Sequence, residues 1–464
     1  MKRKALWISI IGILLIGFVC LFCYRHYIRQ KQIEQKKHTG LVSEDFPVQD
    51  IKHQSKNIYE DAYQTEADNQ LQNMRNNNSY TIEDPLVVWN PYGTNTGSFY
   101  YYGVSEQDSY VVCEVTCNNG SVIKHRLKND SDSGVTKTHE YLITGLAPGL
   151  ENHFSLAFYD AGNNLIHTYQ YTVTLKKDKQ IPAITKVEKG NSKSSLTDGL
   201  FAVLGHDKSK AKNIYYYDNN GICRGKTPLN DYRTDRILTI DGKLVYSYSL
   251  TDIAFVNRLG KVEKTLSLGK YELHHDFMYD EKRNELLCLV NDTDKDTIED
   301  VLISVNIETG KIKKLVDFEK MMKSMRKRSV QRKGGKNTYG GTELDWLHLN
   351  SLDMINDKDA VFSSREESVI IKINNIYENP SIDYLIHSGS LYKGTKYEKL
   401  LLKQKGNFVG HAGQHTITVE KDDTLPNGQY YLYLYNNNFG SAKTLPKFSW
   451  KSYKGVGSYK KGKA

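Results

Sequence analysis

The sequence predicts an all-β protein, a β-sandwich followed by a six-bladed β-propeller, with an N-terminal transmembrane helix ahead of both. Three observations predict it. From Pro85 onward, short alternating or apolar runs are separated by tight turns such as Asn219-Asn-Gly221, Asp241-Gly242, Thr309-Gly310 and Asn427-Gly428. Tyrosine is abundant (33 of 464 residues) and proline sparse (nine), which suits strands. Three stretches of similar form open on histidine: His275-Asp-Phe-Met-Tyr-Asp280, His348-Leu-Asn-Ser-Leu-Asp353 and His415-Thr-Ile-Thr-Val-Glu420. Each leads through an acidic turn into a second strand, as in Glu285-Leu-Leu-Cys-Leu-Val290 and Gln429-Tyr-Tyr-Leu-Tyr-Leu434. The histidines stand 73 and 67 residues apart, a period that fits propeller blades with large insertions.

Residues 1–27 read as a signal anchor. Ala5 to Tyr24 is a run of 20 uncharged residues, which at ~1.5 Å per residue is long enough to cross a bilayer. Lys2, Arg3 and Lys4 precede it, and no small-x-small cleavage site follows. Arg25, Arg29 and Lys31 flank the far side. The expected location is the cell membrane, single-pass, with everything after the anchor extracellular.

Residues 28–80 are polar, with a weak helical period through Ile51, Ile58, Tyr59, Ala62, Leu71 and Met74, and read as a stalk. Residues 81–178 read as the sandwich. Its strands are Leu86-Val-Val-Trp89, Gly97–Tyr102, Tyr110–Val115, Glu140–Ile143, His153–Tyr159 and Gln170–Leu175. The segment from Ile143 to His153 resembles the strand crossing of fibronectin type III domains, and Lys176–Gln180 is a charged linker. Residues 182–464 make the propeller, with one short helix expected over Asp317–Arg326.

Of six cysteines, Cys20 and Cys23 fall in the anchor. Cys113 and Cys117 share one strand, about 13 Å apart, too far for a disulfide. The net charge of +9 is concentrated in Lys320–Lys336, eight basic residues without an acid, and in the tail from Lys451. No stacking motif accompanies these charges, so no nucleic-acid partner is expected. The basic segment is instead expected to form a flap near the channel mouth.

Equivalent positions in successive blades converge on the channel, so His275, His348 and His415 should meet at one site. Adjacent strand residues face opposite ways, so of His274 and His275 only one should reach it. Arg365 returns to the same place on the second strand of the His348 blade. A neutral imidazole is a nucleophile near pH 7, and arginine offers a charged fork to an oxyanion. Three histidines would suit zinc, but the arginine beside them would repel a dication. Neither a metal nor another cofactor is therefore expected.

Four segments carry a resemblance: His274-His-Asp276, Asp345-Trp-Leu-His-Leu-Asn-Ser351, Ser363-Ser-Arg365 and Gly413-Gln-His-Thr416, after an N-terminal Asn90-Pro-Tyr-Gly93. In this order they resemble the bacterial aryl-sulfate sulfotransferase family. The resemblance implies an immunoglobulin-like N-terminal domain, a homodimer formed through it, and nucleotide-independent sulfuryl transfer from an aryl sulfate donor to a phenol acceptor. It places the transiently sulfated histidine at His415 and further site residues at His275, His348 and Arg365. Some periplasmic relatives carry a disulfide near the nucleophile, whereas no cysteine follows Cys288 here. His348 and His275 both remain candidates for the general acid and base. Tyr435, Asn436 and His274 are candidates for substrate contact, with Tyr433 and Asn438 beside them. A cell-surface propeller that binds a ligand without turnover is the alternative reading.

Overall fold

The computed structural model describes residue 24, residues 458–460 and most of residues 48–437. Within 48–437 it leaves out 119, 130–133, 182–187, 189–198, 205–211, 231–233, 332–333, 338–339, 407 and 409. The expected anchor, apart from Tyr24, and the first part of the stalk lie outside the described residues, as does Asn438. No helix among the described residues is long and apolar enough to cross a membrane. The chain is mostly β and divides into two compact units. One is Met1–Leu229 with the hairpin tip Val256–Glu263; the other is Asn230–Phe255 with Lys264–Ala464.

In the first unit, helix α1 spans Asp61–Asn77 and buries Gln64, Ala67 and Leu71, spaced three and four apart on one face. The stalk's weak period thus becomes a helix only from Asp61, and Ile51 and Ile58 precede it. Six strands follow: β1 (Leu86–Trp89), β2 (Phe99–Cys117), β3 (Ile123–Arg126), β4 (Thr136–Ile143), β5 (Glu151–Tyr159) and β6 (Leu165–Thr174). Two runs that look separate in the sequence, around Tyr101 and Val112, are one 19-residue strand, β2. Its first half pairs with β1 and β4 and its second with β3 and β5. The change of partners falls where the register shifts between Val104 and Ser109. Phe99, Tyr101, Val111, Cys113 and Val115 of β2 meet Phe154, Leu156 and Phe158 of β5 in one core.

Strands β7 (Phe201–Val203), β8 (Asn213–Tyr217) and β9 (Cys223–Pro228) form a small sheet. The sequence groups these residues with the second half of the chain, but their contacts lie in the first unit. The side chains of Arg224 and Asp218 are fully buried and paired at 2.8 Å. Arg224 also donates to the carbonyls of Gly145 (2.8 Å) and Ser121 (2.5 Å). Thr227 Oγ1 donates to Thr94 O at 2.6 Å.

The second unit is built from antiparallel sheets of four consecutive strands. The first contains β10 (Ile237–Ile240), β11 (Lys243–Ser247), β12 (Asp252–Val256) and β13 (Val262–Ser267). The second contains β14 (Tyr271–Asp280), β15 (Glu285–Asp292), β16 (Val301–Asn306) and β17 (Ile312–Asp317). The third contains β18 (Leu349–Met354), β19 (Ala360–Ser364), β20 (Val369–Asn374) and β21 (Ser381–Ile386). Strand β22 (Lys403–Lys405) and the hairpin of β23 (His415–Glu420) and β24 (Tyr431–Tyr435) follow. Asp241 and Gly242, both at positive φ, close the two-residue β10–β11 turn, as such a hairpin requires.

The near-continuous apolar sequence of β15 reflects burial on both faces. Leu286, Cys288 and Val290 pack with Val245, Ile253 and Phe277. The alternate residues Leu287 and Leu289 pack with Leu349, Phe362 and Ile371 of the next sheet. The third sheet repeats the device, with Phe362 and Ile371 on one side and Val361 and Ile370, packed with Ile417, on the other. Each such side chain contributes about 1.5–3 kcal/mol on burial, which makes the sheet-to-sheet contacts the main cohesive term here.

The helix expected over Asp317–Arg326 is two short ones, α2 (Phe318–Met321) and α3 (Lys323–Arg326), broken at Met322 with φ −110° and ψ 34°. Phe318, Met322 and Met325 are buried in the core. The first part of the basic segment is thereby tied down and not a free flap.

Asp218→Asn should lower the first unit's stability by about 3–5 kcal/mol, because it leaves the Arg224 charge buried without its counter-charge. Urea unfolding against the parent chain measures this; a change below about 1 kcal/mol contradicts it.

Candidate active site

The first strands of the successive sheets, β14, β18 and β23, lie side by side. Each carries a break in pairing register at its histidine end: between Leu273 and Phe277, Leu349 and Ser351, and His415 and Thr418. A bulge bends a strand and re-aims its side chains. Here it comes with left-handed backbone at His275 (φ 57°), His348 (φ 50°) and Thr416 (φ 56°). Such conformations cost about 1–3 kcal/mol at each non-glycine residue and persist only where the surroundings over-determine them.

The surroundings do so with side-chain acceptors. Asp235 Oδ2 accepts from the backbone N–H of His275 at 3.0 Å. Asp276 Oδ2 accepts from Leu352 N at 3.1 Å, and Asp353 Oδ2 from Val419 N at 2.8 Å. Ser351 Oγ accepts from Ile417 N at 2.8 Å. Gln414, fully buried, donates to Ser363 Oγ, Ser364 O and Val369 O, and its own carbonyl accepts from Asn350 at 2.8 Å.

The result is a cluster of imidazoles. The rings of His275 and His348 lie 4.9 Å apart, nearly edge to face, and those of His275 and His415 5.4 Å apart. His274 and His275 do not part to opposite faces as strict alternation demands. The bulge turns them so that their Nδ1 atoms stand 3.3 Å apart.

Glu299 and Asp345 are the residues that sequence reasoning missed. His348 Nδ1 lies 2.8 Å from Asp345 Oδ2 and in contact with Glu299 Oε2, all three side chains being buried. Glu299 Oε1 is also 3.5 Å from His275 Nδ1. His348 Nε2 is buried with no hydrogen-bond partner among the described residues. Asp345 stands inside a quoted motif, so its place in the sequence was a usable signal. Glu299 lies in the loop between β15 and β16 and belongs to no repeat.

Arg365 lies 3.7 Å from Asp345 Oδ2, and its Nε and Nη2 donate to Glu366 Oε1 at 3.0 and 2.7 Å. Tyr435 pairs in register with His415 and leaves 60% of its surface exposed. Asn436 Oδ1 accepts from Ala412 N at 3.0 Å, which fixes the loop ahead of His415. Tyr433 is exposed beside Tyr435.

Burial drives His275 down to about 2, against the pull of Glu299, and lowers His274 as well. Burial also lowers His415, helped by the charges of His348 and Arg365. His348 goes the other way. Burial opposes its charge, but hydrogen bonds to Asp345 and Glu299 outweigh that and raise its pKa. Glu299 is held below the usual carboxylate range; burial is outweighed by its bond to His348 and by the neighbouring imidazoles. The site thus combines neutral imidazoles, one imidazole stabilised as a cation, and a guanidinium.

Donor atoms of His274, His275 and Glu299, and of Glu299, Asp345 and His348, lie within 4.8 Å of one another, close enough to share a proton or a cation. In the second set His348 Nδ1 bonds Asp345 Oδ2 at 2.8 Å and lies in contact with Glu299 Oε2. A dication there would face Arg365 across Asp345.

An arginine beside clustered imidazoles combines a permanent charge with groups able to move a proton. Residues 185–460 match the model of the arylsulfotransferase (ASST) family, and this chain belongs to that family. It is therefore a sulfotransferase of the arylsulfotransferase kind, acting on small-molecule substrates. No curated protein matches the chain. A protein of unknown function from Desulfotomaculum acetoxidans DSM 771 is similar over 63% of this chain and 77% of its own, at 9% identity and a TM-score of 0.26. The computationally designed Ika8 protein is similar over 68% and 79%, at 12% identity and a TM-score of 0.22. Likenesses this slight carry no argument.

A histidine depressed in the fold binds its proton first in the unfolded chain. Its contribution to stability is whole above an unfolded pKa of 6.5 and is lost as the pH falls towards about 2 for His275. His348, raised in the fold, contributes below 6.5 and loses that contribution as the pH rises through its folded pKa. His275→Gln should therefore flatten the loss of stability between pH 6 and pH 4, by about 1.4 kcal/mol per pH unit. Denaturation midpoints over that range test it; an unchanged slope contradicts a neutral His275.

Proposed function

We propose that this protein moves a sulfuryl group from a phenolic sulfate ester to an acceptor phenol by a ping-pong mechanism through a sulfated His415. The observation that carries the reading is one cluster in which the ring of His275 lies 4.9 Å from that of His348 and 5.4 Å from that of His415, with Arg365 3.7 Å from the carboxylate that bonds His348.

In the first half-reaction an imidazole nitrogen of His415 attacks sulfur, and the S–O bond to the donor phenol breaks. His348 gives its Nε2 proton to the departing oxygen. In the second, the acceptor phenol returns a proton to His348 Nε2, its oxygen attacks sulfur, and the N–S bond breaks. The transition state should be loose, as in phosphoryl transfer, with charge on the peripheral oxygens. Arg365 would meet that charge once Glu366, which accepts from its Nε and Nη2, yields part of the fork. His275, neutral, lends a hydrogen bond without adding charge. Tyr435 offers an exposed ring beside His415 for an aromatic substrate, while Asn436 and His274 support the loop and the imidazole behind it.

The same reading takes the four-stranded sheets as blades of a six-bladed propeller and the β1–β6 domain as immunoglobulin-like. It anchors the chain through residues 5–24 with the site outside the cell, and allows pairing through the N-terminal domain. No nucleotide donor, metal or nucleic acid enters it.

The test uses the full-length chain in detergent with an aryl sulfate and a second phenol. Release of the first phenol should depend on the second, which should gain the sulfate, and His415→Asn should leave only background. Arg365→Ala should lower turnover by about 10²–10³-fold. Release indifferent to the acceptor would indicate a sulfatase, and no turnover over a donor panel would favour a binding protein.

A further inference from the structure

Glu299 has more structure around it than a loop residue needs. Its backbone is left-handed, φ 59°, at a fully buried position. Its N–H donates to Asn291 Oδ1 at 2.8 Å, and its carbonyl accepts from Leu349 N at 3.0 Å, one residue beyond His348. A strained residue pinned at both ends of its peptide is held for the sake of its side chain. That side chain reaches two of the three clustered histidines, His348 directly and His275 at 3.5 Å. Asp345 completes the arrangement, with Oδ2 2.8 Å from His348 Nδ1 and 3.7 Å from Arg365.

An imidazole whose Nδ1 bonds one buried carboxylate, Asp345, and touches a second, Glu299, has one tautomer and one orientation open to it. Only Nε2 remains for a substrate, and it is the nitrogen of His348 without a partner among the described residues. One carboxylate would be enough to fix the tautomer. Two also offset the charge that appears when the ring is protonated, in a place where the other near groups are Arg365, His274, His275 and His415, with Asp235 behind His275.

Building on the sulfuryl-transfer reading, we propose that Glu299 and Asp345 are a pair of positioning residues that grip His348 Nδ1–H, so that Nε2 protonates the leaving phenolate and later deprotonates the acceptor. Neither carboxylate touches substrate. The pair settles which histidine handles the proton: His275, which shares only one carboxylate oxygen at 3.5 Å, is the lesser candidate.

The experiment compares Glu299→Gln, Asp345→Asn and parent, all full-length in detergent, with two donors. Phenyl sulfate leaves as a basic phenolate that needs a proton, whereas an electron-poor nitrophenyl sulfate does not. For Glu299→Gln, kcat should fall about 10²-fold or more with phenyl sulfate and less than about tenfold with the nitrophenyl ester, at nearly unchanged KM. The alkaline limb of the phenyl sulfate profile should move to lower pH, since losing a carboxylate lowers the pKa of His348. Asp345→Asn should show the same pattern. Equal losses with both donors would reduce the pair to scaffolding and overturn the proposal. A stoichiometric metal in the parent that is lost in Glu299→Gln would overturn it in favour of a cation at these carboxylates. If the parent turns over neither donor, the sulfuryl-transfer reading is what fails. Imidazole 1H–15N spectra then judge the grip alone: a strongly deshielded Nδ1–H present in the parent and lost in Glu299→Gln supports it, and its absence from the parent refutes it.

Discussion

A backbone hydrogen bond from the first strand of one sheet to a carboxylate earlier in the chain is the constraint on which the second unit depends. Asp235 holds β14, Asp276 on β14 holds β18, and Asp353 on β18 holds β23. A bulged strand has backbone donors with no ladder partner, and buried donors left unpaired cost about 1–3 kcal/mol each. The acids meet that need at the places where the bulges turn histidines inward. Of the three, the bond from Asp235 falls on a left-handed histidine itself, His275.

The charge of the site follows from the same packing. Burial alone would make every imidazole neutral, and it prevails at His274, His275 and His415. At His348 two carboxylates outweigh it. The ring of His275 lies 4.9 Å from that of His348 and 5.4 Å from that of His415, so a local cause must set the difference in charge. It comes from which ring the acids reach.

Much of this was legible in the sequence. Strands such as Leu86–Trp89 and Glu285–Asp292 follow from composition and turns, and the histidine repeat gave β14, β18 and β23 their common role. The family followed from short motifs around the same residues. What escaped reading did so for identifiable reasons. Alternation fails at His274 and His275 because a bulge breaks the period of two. Two runs fuse into β2 because exposed Glu106, Gln107 and Asp108 look like a turn although the strand passes through them. Asp317–Arg326 breaks into two helices at Met322, whose φ of −110° and ψ of 34° leave the helical region, although Phe318, Met322 and Met325 keep the three-and-four spacing of one helix face. Glu299 could not be read at all, since its partners are 24 and 49 residues away and its own neighbours carry no pattern.

The direction of the carboxylate bonds bears on synthesis. Each acid lies ahead, in the chain, of the strand whose N–H it accepts, so a sheet leaving the ribosome presents acceptors to the sheet that follows. Growth can proceed from the amino end without waiting for a distant partner. The strand that carries His415 is the last of the three to arrive. A product cut short before it would hold β10–β21 and both carboxylates of the acid pair, yet lack the third ring of the imidazole cluster. The imidazole cluster is thus closed by the last of its strands to be made.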